Sequence, residues 1–258
     1  MKCNQIIKLL EDLAKPRYRE SWDNIGLLVG NMDKEVHKVL LALDVSAAVV
    51  ETAIALGVDL IISHHPIIFT PLKQVNSQSF ISKKVIQLIQ NDISCYAMHT
   101  NFDVAVMAEA VANKLGLENT TTLVTTVPEE NKGFGKIGIL SKGIPLFEYA
   151  DAVKKIFKLP YIRVCGNENT IINRVAIIPG SGKSMISDAV YAQADLLITG
   201  DIDHHSAIDA IDQNLNIIDA GHLGTEQIFV DYMADYLREN FSKLSIETYK
   251  GDDPFRIL

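Results

Sequence analysis

Two stretches of the chain follow one plan, and that repetition constrains the fold more than any other feature. KVLLALDVSAAVVETAIALGVDLIISHHP begins at Lys38, and RVAIIPGSGKSMISDAVYAQADLLITGD begins at Arg174. In each, an apolar strand opens at a valine, a helical pattern follows, and a second apolar strand starts after an aspartate. Val39 to Asp59 and Val175 to Asp195 are both separations of 20 positions. Short runs of Val, Ile and Leu alternating with helical patterns mark parallel strands covered by helices.

The likeness continues downstream. DISCYAMHTNFD ends a third strand near His99 and places an acid at Asp103, while NLNIIDAGHLGTE ends another near His222 and places an acid at Glu226. Both acids follow their histidine by four residues, and each motif leads into an amphipathic helical pattern, VAVMAEAVANKLG and QIFVDYMADYLREN. The expected fold class is therefore α/β: two similar lobes related by internal duplication, with mostly parallel sheets flanked by helices. VTTVPEENKGFGKIGILSKGIPLF, rich in turn residues, marks the expected boundary and an antiparallel or mixed extension. It divides the chain into lobes 1–126 and 127–258.

Length and composition agree with a packed protein and exclude several classes. A chain of 258 residues with 48% hydrophobic and 22% charged residues can bury a substantial core without staples. Its formal net charge of −8, with no run of basic residues, argues against nonspecific nucleic-acid binding. Cys3, Cys95 and Cys165 are scattered and odd in number, which fits a reducing compartment and no thiolate zinc site. The first residues read as an amphipathic helix on Ile6, Leu9, Leu10 and Leu13 rather than a signal peptide, and no apolar run reaches membrane-spanning length. A soluble, cytoplasmic protein is expected.

In open α/β sheets ligands bind beyond the carboxyl ends of the strands. Six of the seven histidines fall at such ends, His37 being the exception. His64 and His65 follow DLIIS; His99 and Asp103 follow ISCYAM; Asp201, Asp203, His204 and His205 follow DLLITG; His222 and Glu226 follow NIIDAG. Neutral imidazoles with carboxylates suit zinc, iron, manganese, cobalt or nickel without selecting among them. The set exceeds what one tetrahedral ion needs, which points to two metals. Taken singly, each motif also has a structural reading: a turn after a strand, or an acid in the first turn of a helix. GSGKS at Gly180–Ser184 resembles the end of a phosphate-binding loop, but the pattern requires glycine where Ile177 stands. It is read as a tight strand-to-helix turn. SWDNIGLLVG, Ser21 to Gly30, reads on composition as a loop leading into a strand.

These motifs together, SWDNIGLLVG, SHHP, HTNFD, TGDIDHH and GHLGTE, closely resemble the GTP cyclohydrolase 1 type 2 homologues, also called the Nif-three-like family. The resemblance runs from the first helix to the last, without the inserted middle domain that some relatives carry. It implies two divalent metal ions per subunit in a cleft between the lobes, with ligands matching His64, His65, Asp103, His222 and Glu226. It implies His99 as a candidate proton donor, His204, His205 and Asp201 as residues supporting the ligands, and a toroidal homohexamer. The implied activity is a metal-dependent hydrolase of a nucleotide-like or other small polar substrate, with hydrolytic opening of the guanine imidazole ring at C8 as the family analogy. The alternative is a non-catalytic metal-binding regulatory or partner-binding protein.

Overall fold

The structure is a computed structural model that describes residues 1–251 and 253–255. It divides into two compact units, Met1–Phe102 with Phe229–Leu258, and Asp103–Ile228.

The first unit opens with α1 (Cys3–Leu13), then β1 (Gly26–Val29), β2 (Lys38–Ala42), α2 (Ala47–Leu56), β3 (Leu60–Ser63), α3 (Phe80–Gln90), β4 (Ser94–Ala97) and the helical turn α4 (Thr100–Phe102). The second unit holds a π-helical turn at Asp103–Met107, α5 (Ala108–Lys114), β5 (Glu118–Val127), β6 (Lys132–Pro145), α6 (Leu146–Phe157), β7 (Arg163–Cys165) and β8 (Ile171–Ser181). It continues with α7 (Ile186–Tyr191), β9 (Leu196–Gly200), α8 (His204–Asp212), β10 (Asn216–Asp219) and α9 (His222–Glu226). The chain then returns to the first unit through α10 (Ile228–Asn240) and β11 (Ser245–Tyr249).

The first sheet has the order β1-β4-β3-β2-β11 and the second β5-β6-β8-β9-β10-β7. In the first, β2, β3 and β4 run parallel and β1 closes the β4 edge antiparallel. In the second, β8, β9 and β10 run parallel and β7 closes the β10 edge antiparallel. The duplication expected from the sequence is thus repeated strand for strand in topology. What differs is the additional strand beside the first of each trio, β11 parallel to β2 and β6 antiparallel to β8.

Burial explains why the strands read as unbroken apolar runs. Every residue of β3, β4, β9 and β10 is buried, as expected of strands covered on both faces. Along β8, Val175 and Ile177 join a core with Leu146, Tyr149 and Val153 of α6, whereas Ala176 and Ile178 join Ala189 of α7 and Ala210 of α8. Alternate residues thus serve opposite faces. Helix starts follow local chemistry: Ser46 accepts from Val49 N at the head of α2, and Asp203 accepts from Ser206 N at the head of α8.

The observed units are bounded differently from 1–126 and 127–258. The segment expected as the boundary is the β5–β6 hairpin, an antiparallel extension paired onto β8. In addition, the helices after the two histidine-acid motifs are exchanged. Val111 and Ala112 of α5 pack in a core with strands of the second half of the sequence, while α10 and β11 belong to the first unit.

Candidate metal centre

Each unit carries a cluster of imidazole and carboxylate groups at the carboxyl ends of its parallel strands. In the first, β3 ends at Ser63 and delivers His64 and His65, while β4 ends at Ala97 and delivers His99. Each of these histidines offers a ring nitrogen such that the three atoms lie within 4.8 Å of one another. His64 is completely buried, with its ring against Phe229 at 5.3 Å and Phe102 at 6.3 Å between centroids.

Hydrogen bonds orient every ring. His64 Nδ1 donates to Met98 O at 2.8 Å, His65 Nδ1 to Asp44 Oδ1 at 2.8 Å, and His99 Nδ1 to Asp23 Oδ1 at 2.8 Å. An acceptor at Nδ1 places the proton there and leaves the lone pair on Nε2, the arrangement typical of metal-ligating histidines.

In the second unit, His222 and Glu226 occupy the short α9, four residues apart on one helical face. His222 Nε2 lies 3.0 Å from Glu226 Oε2, and His222 Nδ1 donates to Asp201 Oδ2 at 2.7 Å. Glu226 is only 4% exposed, a location where a carboxylate is stable only when it is paired or coordinates a cation. The Gly-rich turn after β8 makes room for it. Gly180 sits at φ +67°, and a Cβ there would collide with Glu226 Oε1. Gly180 N also donates to Thr225 Oγ1 at 2.9 Å. GSGKS is therefore a tight turn, as expected, and part of it shapes the carboxylate site.

Asp103 is half-buried and begins the π-helical turn Asp103–Met107. Such turns are rare and are frequent at functional sites. Asp201 takes the hydrogen bond from His222. His204 and His205 are exposed on the first turn of α8, with ring centroids 5.4 Å apart.

Two further residues bond the histidine rings and do not stand out in composition. Asp44, just beyond the end of β2, satisfies the strand-end criterion, which is the signal that finds it. Asp23 sits in the segment that reads as a loop. Its carboxylate accepts from His99 Nδ1, Thr100 N and Thr100 Oγ1. Burial pushes the Asp23 carboxyl upward, but the hydrogen bonds from His99 and Thr100 outweigh that and hold it below the usual range.

The donor set fits divalent metal ions of the first transition row: imidazole groups oriented from behind by hydrogen bonds at Nδ1, and, beside His222, the buried carboxylate of Glu226. Comparison with known proteins agrees with the sequence resemblance. The family model Duf34/NIF3 (NGG1p interacting factor 3) matches residues 1–254. A protein of Clostridium perfringens called "GTP cyclohydrolase 1 type 2 homolog" is 32% identical over 100% of both chains. One of the same name from Streptococcus pneumoniae is 36% identical over 93% of this chain and 91% of its own. The crystal structure of a Bacillus cereus protein related to NIF3 superposes with a TM-score of 0.91 at 26% identity, covering 100% of this chain and 99% of that one. The chain belongs to the Duf34/NIF3 family.

Proposed function

We propose that this protein is a metal-dependent hydrolase of a nucleotide-like substrate, with two divalent ions held by His64, His65, Asp103, His222 and Glu226. The observation that carries this reading is the shared state of four imidazoles. His64, His65, His99 and His222 each donate from Nδ1 to an oxygen acceptor, so in its neutral form each ring has its lone pair on Nε2, available to a metal ion. Chain continuity supports grouping residues of both units. The chain leaves the first unit after Phe102 and re-enters it at Phe229, and both phenylalanines lie against the His64 ring. Asp103 is bonded to the first of these, and Glu226 lies three positions before the second.

When bound, divalent ions acidify coordinated water and neutralise negative charge developing on a substrate. The surrounding residues have separable tasks. Met98 O, Asp44 and Asp201 hold the ligand rings of His64, His65 and His222 in one tautomer. Asp23, itself held by Thr100, accepts from the ring of His99, whose Nε2 is the candidate site for moving a proton. The relatives' name supports a guanine nucleotide as substrate, and ring opening at C8 as the reaction to test first. Three free cysteines among the described residues suit a reducing cytoplasm. No described helix is long and apolar enough to cross a membrane. A homohexamer is the assembly proposed by resemblance, and light scattering of the purified protein tests it.

Elemental analysis of protein purified without added metal, combined with turnover of a nucleotide panel, tests the function. We expect about two ions per subunit, and loss of both metal and turnover in Asp103→Ala and Glu226→Ala. Full turnover by metal-depleted protein would overturn the mechanism. Full metal loading with no turnover of any nucleotide would favour the regulatory metal-binding reading instead.

A further inference from the structure

We propose that Trp22 and Phe69 form an aromatic platform on which the planar heterocyclic base of the substrate stacks beside His99. The inference rests on the reading of the histidine cluster as the reaction site and adds a base-recognition subsite to it.

Trp22 and Phe69 are 57% and 55% exposed, an unusual state for two large aromatic side chains that touch each other. Their centroids are 5.8 Å apart with planes tilted by 49°. Both meet the same imidazole edge-on: Trp22 lies 6.0 Å from His99 at 70°, and Phe69 lies 6.4 Å from it at 71°. The exposed rings therefore border the histidine cluster directly.

Their exposure is built in by the neighbouring residues. Asp23 ties the backbone beside Trp22 to His99 and Thr100, and Glu20 N donates to Thr100 Oγ1 at 3.0 Å. Asn24 Nδ2 donates to Ile68 O at 2.6 Å, joining the Trp22 loop to the residue before Phe69. Asp23 is buried and anchors the loop, while Trp22 is left facing solvent.

The size and chemistry of the patch select its occupant. An aromatic side chain has roughly 150–250 Å² of surface, of which Trp22 and Phe69 leave a little over half open, well short of the about 800 Å² per partner of a stable protein interface. A single flat heterocycle matches that area and gains from stacking whatever its substituents. An aliphatic chain or a sugar phosphate has no π face to offer. A base stacked here keeps its edge beside the imidazole assigned to proton movement.

Trp22 is the only tryptophan in the chain, so fluorescence excited selectively at tryptophan, beyond the absorption of the tyrosines, reports on this site alone. We expect saturable quenching by GMP and none by ribose 5-phosphate or tripolyphosphate at equal concentration. Calorimetry should show GMP affinity falling about tenfold in Trp22→Ala and in Phe69→Ala, and largely recovering in Trp22→Phe. Both side chains are exposed, and circular dichroism of each variant checks folding. Unchanged GMP affinity in both alanine variants overturns the proposal, as does quenching by ribose 5-phosphate equal to that by GMP. Dissociation of an oligomer in these variants without loss of base binding also overturns it, by making the rings a subunit contact. Quenching by GMP without turnover of any nucleotide upholds the platform while the hydrolase reading fails. Turnover with unaltered KM in both alanine variants does the reverse.

Discussion

Asp23 and His99 stand 76 positions apart in sequence, yet His99 Nδ1 donates to the Asp23 carboxylate at 2.8 Å, and Thr100 N donates to its other oxygen at 3.0 Å. Asp23→Asn should cost roughly 1.5–3 kcal/mol, since hydrogen bonds to a charged acceptor are lost. The pH dependence has a definite sign. The folded carboxyl titrates below its unfolded value, so its stabilisation is complete above about pH 4 and is lost as pH falls through the folded value. Urea midpoints of the two proteins should converge as pH drops from 7 toward 3. A gap that stays constant over that range would refute the assignment.

Gly180→Ala tests the space beside Glu226. The new methyl would meet Glu226 Oε1, and the residue is held at φ +67°. A left-handed conformation costs a non-glycine residue about 1–2 kcal/mol. Gly57→Ala is the control: that glycine caps α2 at φ +60°, and a methyl added to it would meet nothing within 4 Å. Both variants should lose similar stability in thermal denaturation, but only Gly180→Ala should lose bound metal. Equal metal content in the two would separate Gly180 from the centre.

Phe229 tests the return of the chain to the first unit. It is fully buried, 5.0 Å from Phe102 and 5.3 Å from His64 between ring centroids. Truncation to alanine should destabilise by about 3–5 kcal/mol through the cavity it leaves, measured by urea denaturation. Phe229→Leu should lose much less. A loss below about 1 kcal/mol for the alanine variant would show that α10 is not anchored there.

The cysteines should be chemically quiet. Burial pushes the Cys95 thiol up to about 12, and raises those of Cys3 and Cys165 as well. The thiolate is the reactive form, so native protein at pH 8 should react slowly with a disulfide reagent. Cys165, only half-buried, should react first, and all three should react in urea. A fast-reacting Cys95 would contradict its burial.

The Val-to-Asp spacing and the unbroken apolar runs are enough to read the α/β class, the duplication and the strand ends that carry His64, His65, His99, His222 and Glu226. Such patterns are local, because a strand buried on both faces must be apolar throughout and a ligand-bearing turn must follow it. Three features required the tertiary structure. The exchange of α5 and α10 between units depends on which sheet offers each helix an apolar face, and helical periodicity is the same for either. The pairing of β11 with β2 depends on an edge that exists only once the first sheet has formed. Asp23 is invisible as an anchor in sequence because its partners, His99 and Thr100, become neighbours only when β1 and β4 pair.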